Sequence, residues 1–270
     1  MTKKDIFEQI KRKQSYLCVG LDTDINRIPS VLRNFEDPVF EFNKKIIDAT
    51  VDLCISYKLN LAFYESLGPA GLISLQKTIE YIPEDIFLIA DAKRGDIGNT
   101  SEMYAKEFFD YYNFDAVTLN PYMGKDSVDP YLSFQNKWAI LLALTSNSGS
   151  QDFQMLKTET GNLYETVLAK SKNWGTTNQI MYVVGATKSS FLQTVRKIVP
   201  EHFLLIPGVG AQGGNLGEVT RHGINDSIGL LVNVSRSIIY ASDTVDFDNA
   251  ARKKAFEIKS EMEILLDKYY

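Results

Sequence analysis

The sequence predicts an α/β protein, a (β/α)8 TIM barrel forming a single domain over residues 1–270. Three observations predict it. A chain of 270 residues suits one such barrel. Eight short apolar runs recur along it, rich in Val, Ile, Leu or aromatics, as strands buried on both faces require. Stretches with apolar residues at helical spacing separate these runs, and that alternation favours a closed parallel barrel over a doubly wound sheet.

The predicted strands, in order, are Tyr16–Leu21, Leu59–Tyr64, Ile86–Ala90, Ala116–Leu119, Trp138–Leu144, Ile180–Val184, Phe203–Ile206 and Ile228–Val232. Helical spacing marks Phe40–Ser56, Ser101–Tyr112 and Leu163–Lys172 among the intervening stretches. The polar, glycine-containing Thr145–Gly161 reads as a loop after the fifth strand. No linker, low-complexity tract or repeat divides the chain.

Composition narrows the function classes. A hydrophobic content of 44% supports a sizeable core and argues against disorder. A formal net charge of -5 argues against an extended nucleic-acid-binding surface, while leaving room for a local basic pocket that takes one phosphate. Cys18 and Cys54 have no metal-ligand spacing and lie in apolar runs, so buried free thiols in a reducing cytosol are expected. The charged segment Met1–Gln14 lacks the apolar core of a signal peptide, and no apolar run reaches the roughly 18 residues of a membrane span. His202 and His222, the two histidines, leave little material for histidine triads or multi-histidine metal sites. A cytoplasmic protein without a membrane segment is expected.

In a barrel, reactive groups gather at the C-terminal ends of the strands, so the polar residues just past each apolar run carry the information. The first strand ends in Leu21-Asp22-Thr23-Asp24, and Lys58 immediately precedes the second. The third ends in Asp91-Ala92-Lys93-Arg94-Gly95-Asp96-Ile97-Gly98-Asn99-Thr100. Strand alternation would put Asp91 and Lys93 on one face, pointing into the barrel mouth. Two unit charges about 4 Å apart at an effective dielectric near 20 interact by roughly 4 kcal/mol, enough to shift a titration substantially. A lysine held among carboxylates can stay protonated despite partial burial, ready to act as an acid. In an arbitrary protein, D-x-K-x-x-D more often marks a surface ion pair at a helix start; its position after the third strand reverses that preference.

Thr145-Ser146-Asn147 follows the fifth strand, Pro207-Gly208-Val209-Gly210-Ala211-Gln212-Gly213-Gly214 the seventh and Asn233-Val234-Ser235-Arg236-Ser237 the eighth. Gly208, Gly210 and Gly213 fit the dinucleotide fingerprint G-x-G-x-x-G, but they lie late in the chain and the next strand ends in Asn233 instead of an acidic ribose ligand. A phosphate site is the better reading. Glycine-rich turns after strands seven and eight let backbone N–H groups approach a phosphate, with Arg236 supplying charge.

These segments, in this order and spacing, resemble the orotidine 5′-phosphate decarboxylase family, in its longer bacterial branch, and the resemblance runs nearly end to end. The family converts orotidine 5′-monophosphate to UMP and CO2 and uses no cofactor and no metal. Its alternating tetrad of lysines and aspartates carries over as Lys58, Asp91, Lys93 and Asp96. The resemblance implies that Lys93 protonates C6 as CO2 leaves. Asp91 would sit beside the substrate carboxylate and help position Lys93, while Lys58 would contact the ribose and hold the network. Asp22 and Thr100 resemble ribose ligands, Ser146 the pyrimidine contact, and Gln212 and Arg236 the phosphate ligands. It further implies a homodimer with shared active sites, Asp96 and Thr100 each completing the partner's site. Three departures stand out: Gly98 where the shorter branch has proline, Ser235 where glycine is common, and the longer loop containing Ser146-Asn147-Ser148-Gly149. Two rival readings share parts of the pattern. A Mg2+-dependent sugar-phosphate decarboxylase of the same barrel group shares D-x-K-x-x-D. A silent nucleotide-phosphate-binding barrel would need only Gln212, Arg236 and the glycines.

Overall fold

The structure, a computed structural model, describes residues 1–210 and 213–270. Eight parallel strands close into a barrel in the order β1-β10-β9-β8-β5-β4-β3-β2. Their ranges are β1 Leu17–Gly20, β2 Ser56–Asn60, β3 Phe87–Arg94, β4 Ala116–Leu119, β5 Trp138–Leu144, β8 Ile180–Val184, β9 Leu204–Pro207 and β10 Leu230–Val234. The two-residue strands β6 (Lys157–Thr158) and β7 (Gly161–Asn162) form a small hairpin apart from the barrel. Parallel neighbours need crossovers, which the helices between them provide. The strands are buried because helices cover them outside and side chains fill the interior, with Trp138, Tyr57 and Phe87 among the largest fully buried residues.

The helix Lys3–Lys13 closes the N-terminal end. A capping box between Thr2 and Asp5 starts it, left-handed Gln14 ends it, and Ile6 and Ile10 are its buried face. Lys13 Nζ donates to the carbonyls of Val51 and Cys54, just before β2, and Gln9 donates to Asp85 O, just before β3. Cys18 and Cys54 are buried and unpaired, as expected. Among the described residues no helix is long and apolar enough to cross a membrane.

Most predicted strands hold within a residue or two, and three differences have physical causes. The second strand is Ser56–Asn60, not Leu59–Tyr64. Tyr57 turns outward, its hydroxyl bonding Thr50 Oγ1, while Lys58 turns inward to two carboxylates. Polar residues therefore fill half of a true strand. Asn60 ends it by accepting from Ala62 N at the start of the helix Leu61–Glu65. The third strand runs four residues past its apolar part, so the charged motif begins inside the ladder. The eighth starts later, at Leu230, because Ile228 (φ 63°) and Gly229 (φ 64°) make a tight turn against Asn225. The helix predicted to reach Ser56 stops at Thr50, and the one over Ser101–Tyr112 starts at Gly98 and ends in a wider π turn over Glu107–Tyr111. Within the segment expected as a loop lie the short helix Ser150–Phe153 and the β6–β7 hairpin.

Candidate active site

A cavity of about 740 Å3 opens at the C-terminal ends of the strands. Asp22, Lys58, Asp91, Lys93, Ser146, Gly208 and Arg236 all line it, so residues from across the chain meet in one place.

The charged motif owes its shape to a bulge. Ala90 pairs with Val117 and Arg94 with Leu119, so β3 advances four residues while β4 advances two. The surplus residues include Lys93, a non-glycine residue at φ 50°, a left-handed conformation that costs about 1–2 kcal/mol. Its N–H donates to Thr118 Oγ1 at 2.9 Å, and Thr118 Oγ1 lies 3.1 Å from Asp91 Oδ1. Asp91 and Lys93 share the cavity, as alternation predicted, although the bulge rather than a regular strand sets their approach.

The electrostatics follow from the partners. Lys58, 3% exposed, places Nζ 2.8 Å from Asp91 Oδ2 and 3.4 Å from Asp22 Oδ1. Lys93 Nζ stands 2.5 Å from the other oxygen, Asp91 Oδ1. Burial alone would drive Asp91 toward its neutral form, but Lys58 and then Lys93 reverse this and hold its carboxyl far below the usual range. Burial likewise opposes the charge on Lys58, and Asp22 and Asp91 together raise it above an ordinary lysine. The mouth thus holds a desolvated carboxylate gripped by two cations, one nearly buried and one exposed to the cavity.

The opposite wall suits an anion. Gly208, Gly210 and Gly213 adopt φ of 97°, 75° and 83°, which glycine reaches without a Cβ penalty. Gly210 N donates to Gly214 O and Gly214 N to Gly208 O, which folds the turn back on itself. β9 and β10 run in register to Pro207 and Asn233, which brings this turn beside the helix that Arg236 begins. Arg236 is exposed at its start. Ser235, one of the three departures noted in the sequence, packs on Gly20; a Cβ at Gly20 would stand 2.7 Å from Ser235 Cβ. Ser146 passes close to Gly185, where an added Cβ would lie 2.7 Å from Ser146 N.

Not every predicted residue joins the cavity. Asp96 and Thr100 do not line it; Asp96 accepts from Ile97 N, and Thr100 is exposed on the helix Gly98–Lys106. Gly98, at φ 56°, holds a conformation that proline's fixed negative φ forbids, so this turn differs from one with proline there. Gln212 lies outside the described residues. Sequence reasoning missed three residues. Thr118 carries the bond to Lys93. Tyr240 donates to Asp22 O at 3.1 Å and accepts from Asp24 N at 2.7 Å. The Arg27 guanidinium stacks 4.0 Å from the Tyr240 ring centre. A tyrosine just beyond the Arg236 helix was the available signal for that contact.

Comparison with known proteins yields the following. Residues 15–250 match the model of the orotidine 5′-phosphate decarboxylase / HUMPS family. An orotidine 5′-phosphate decarboxylase of Flavobacterium johnsoniae is 58% identical over 270 residues, covering 99% of both chains. The Leishmania donovani UMP synthase structure superposes with a TM-score of 0.88 at 36% identity, covering 98% of this chain and 56% of that one. The OMP decarboxylase structure of the same organism gives a TM-score of 0.82 at 34% identity, covering 98% and 99%.

Proposed function

The chain belongs to the orotidine 5′-phosphate decarboxylase / HUMPS family, and from that premise we propose that it converts orotidine 5′-monophosphate to UMP and CO2, in the cytoplasm and without a cofactor. One observation carries the reading within this barrel group: Lys58 Nζ sits between Asp22 and Asp91, and Lys93 Nζ takes the other oxygen of Asp91. The ammonium of Lys58 therefore already neutralises the two carboxylates nearest to it.

In the reaction the C6–carboxylate bond breaks, CO2 leaves, and the electron pair stays in an in-plane orbital at C6 that the ring π system cannot absorb. Lys93 stabilises that charge from a fixed position and then donates its proton to C6; solvent returns the proton to the amine. Asp91 lies beside the departing carboxylate and aims Lys93, while Lys58 holds Asp91 and Asp22 against the ribose. The Gly208–Gly214 turn, Gln212 and Arg236 bind the phosphate, whose distant binding energy helps assemble the site. Ser146 contacts the pyrimidine.

The working unit is a homodimer with shared sites. Asp96 and Thr100 do not line their own cavity, and the segments around them carry exposed apolar side chains: Ile97 and Met103 after β3, and Tyr122, 84% exposed, with Met123 after β4. Covering such side chains with a second copy would carry Asp96 and Thr100 into the partner's mouth.

The test is an absorbance assay with orotidine 5′-monophosphate, run with and without EDTA. Equal release of UMP and CO2 that persists in chelator is expected. No consumption of the substrate, or activity abolished by EDTA and restored by Mg2+, would contradict the proposal.

A further inference from the structure

We propose that Thr118 is a positioning residue for decarboxylation, its hydroxyl tying the backbone of Lys93 to the carboxylate of Asp91 and so fixing the proton donor over the reacting carbon. The inference rests on Lys93 being that donor.

The bulge in β3 removes Lys93 N–H from its ladder partner, and a buried N–H left unpaired is destabilising. Thr118, 1% exposed on the neighbouring β4, supplies the acceptor at 2.9 Å. The polarity of the next link is then fixed. Asp91 is ionised and can only accept, so the single hydroxyl proton of Thr118 points at Asp91 Oδ1, 3.1 Å away. Lys93 Nζ reaches that same oxygen at 2.5 Å. Both ends of Lys93, its backbone nitrogen and its ammonium, are referred to one carboxylate atom through a closed ring of contacts. This ring supports the left-handed φ of 50° at Lys93 and restricts where its long side chain can place the proton. A hydroxyl can accept from an amide and donate to a carboxylate at once; a methyl of the same size can do neither.

The experiment compares two substitutions that remove opposite halves of the side chain. Thr118→Val keeps the shape and loses the hydroxyl; Thr118→Ser keeps the hydroxyl and loses the methyl. With the parent enzyme assayed first, kcat should fall about 10–100-fold in Thr118→Val, the scale of one hydrogen bond to a charged group. KM and UMP affinity should change far less, and Thr118→Ser should restore most of kcat. A packing role predicts the reverse order, because the serine variant then loses the buried methyl. If Thr118→Val does not fold, Thr118→Ala replaces it in the same comparison. Hydrogen exchange at the Lys93 amide, identified by its altered signal in Lys93→Arg, gives a reading independent of turnover: protection in the parent, lost in valine and regained in serine. A Thr118→Val enzyme with parental kcat, a serine variant as impaired as valine, or an unprotected Lys93 amide in the parent overturns the inference. Absence of turnover in the parent itself would instead remove the decarboxylase reading.

Discussion

The two ends of the barrel both bury cations, and they do so in opposite ways. At the C-terminal mouth, Lys58 meets Asp22 and Asp91, and Lys93 shares Asp91 while half exposed to the cavity. At the N-terminal end, Arg196 has no carboxylate partner among the described residues. It donates instead to the carbonyls of Val199, His202, Gly223 and Gly229, which join the segments entering β9 and β10. Burial pulls its pKa down to about 9, still well above neutrality. His202 beside it is 6% exposed, and neither ring nitrogen has a hydrogen-bond partner among the described residues. Burial first, then the nearby Lys3, Arg196 and Lys172, lower its pKa to about 4. The difference separates a clasp from a reagent. A cation whose donors go to backbone carbonyls holds elements together, whereas an exposed one that shares a carboxylate at a cavity wall is placed to meet a molecule that enters.

The largest effect concerns how the mouth is completed. Asp96→Asn and Lys93→Ala should each be inactive alone. Mixed in equal amounts with subunit exchange verified by mass spectrometry, they should recover about a quarter of parental activity, since half of the dimers are mixed and each mixed dimer holds one intact site. Self-contained sites would leave the mixture inactive. Next, Arg196→Met should lower stability in urea by about 3–5 kcal/mol, because four carbonyls lose a charged donor and hydrogen bonds to charged groups are worth roughly 1.5–3 kcal/mol each, without changing kcat per folded molecule. A stable variant with lowered kcat would erase the distinction between the two ends.

Arg236→Ala should weaken UMP binding by roughly 1.5–3 kcal/mol, as for one hydrogen bond to a charged group, and leave uridine binding nearly unchanged. Calorimetry with both ligands checks this, and equal losses would place Arg236 away from the phosphate. The smallest effect concerns pH. His202 has a folded pKa near 4, below the ordinary 6.5 of an unfolded histidine. The unfolded chain therefore binds the proton first as pH falls, and stability present above about 6.5 is lost toward pH 4, by an amount on the order of 1–3 kcal/mol. His202→Leu should flatten that slope in urea melts at pH 7 and pH 5; an unchanged slope would show that other groups set it.

How much of this was legible in the sequence depends on what each residue answers to. Strands such as Trp138–Leu144 and Ile180–Val184 are apolar on both faces, so their runs coincide with the ladder. β2 was offset because Lys58 faces the site, and a strand that serves the cavity gives up half of its apolar pattern. Asp91 and Lys93 were readable because both lie in one short motif. Thr118 and Tyr240 were not, because their partners lie 27 and 218 residues away and only barrel closure brings them together. Asp96 and Thr100 belong to the same motif but do not line their own cavity, because β3 ends at Arg94, before the chain reaches them.

In the proposed reaction the paired charges at the mouth act on substrate, and those at the opposite end do not. Lys93→Ala tests this most directly, measured for orotidine 5′-monophosphate turnover, for UMP binding by calorimetry and for thermal stability on the same preparation. The expected result is a folded protein that still binds UMP and has lost nearly all turnover. Decarboxylation at a near-parental rate by a well-folded Lys93→Ala protein would contradict it.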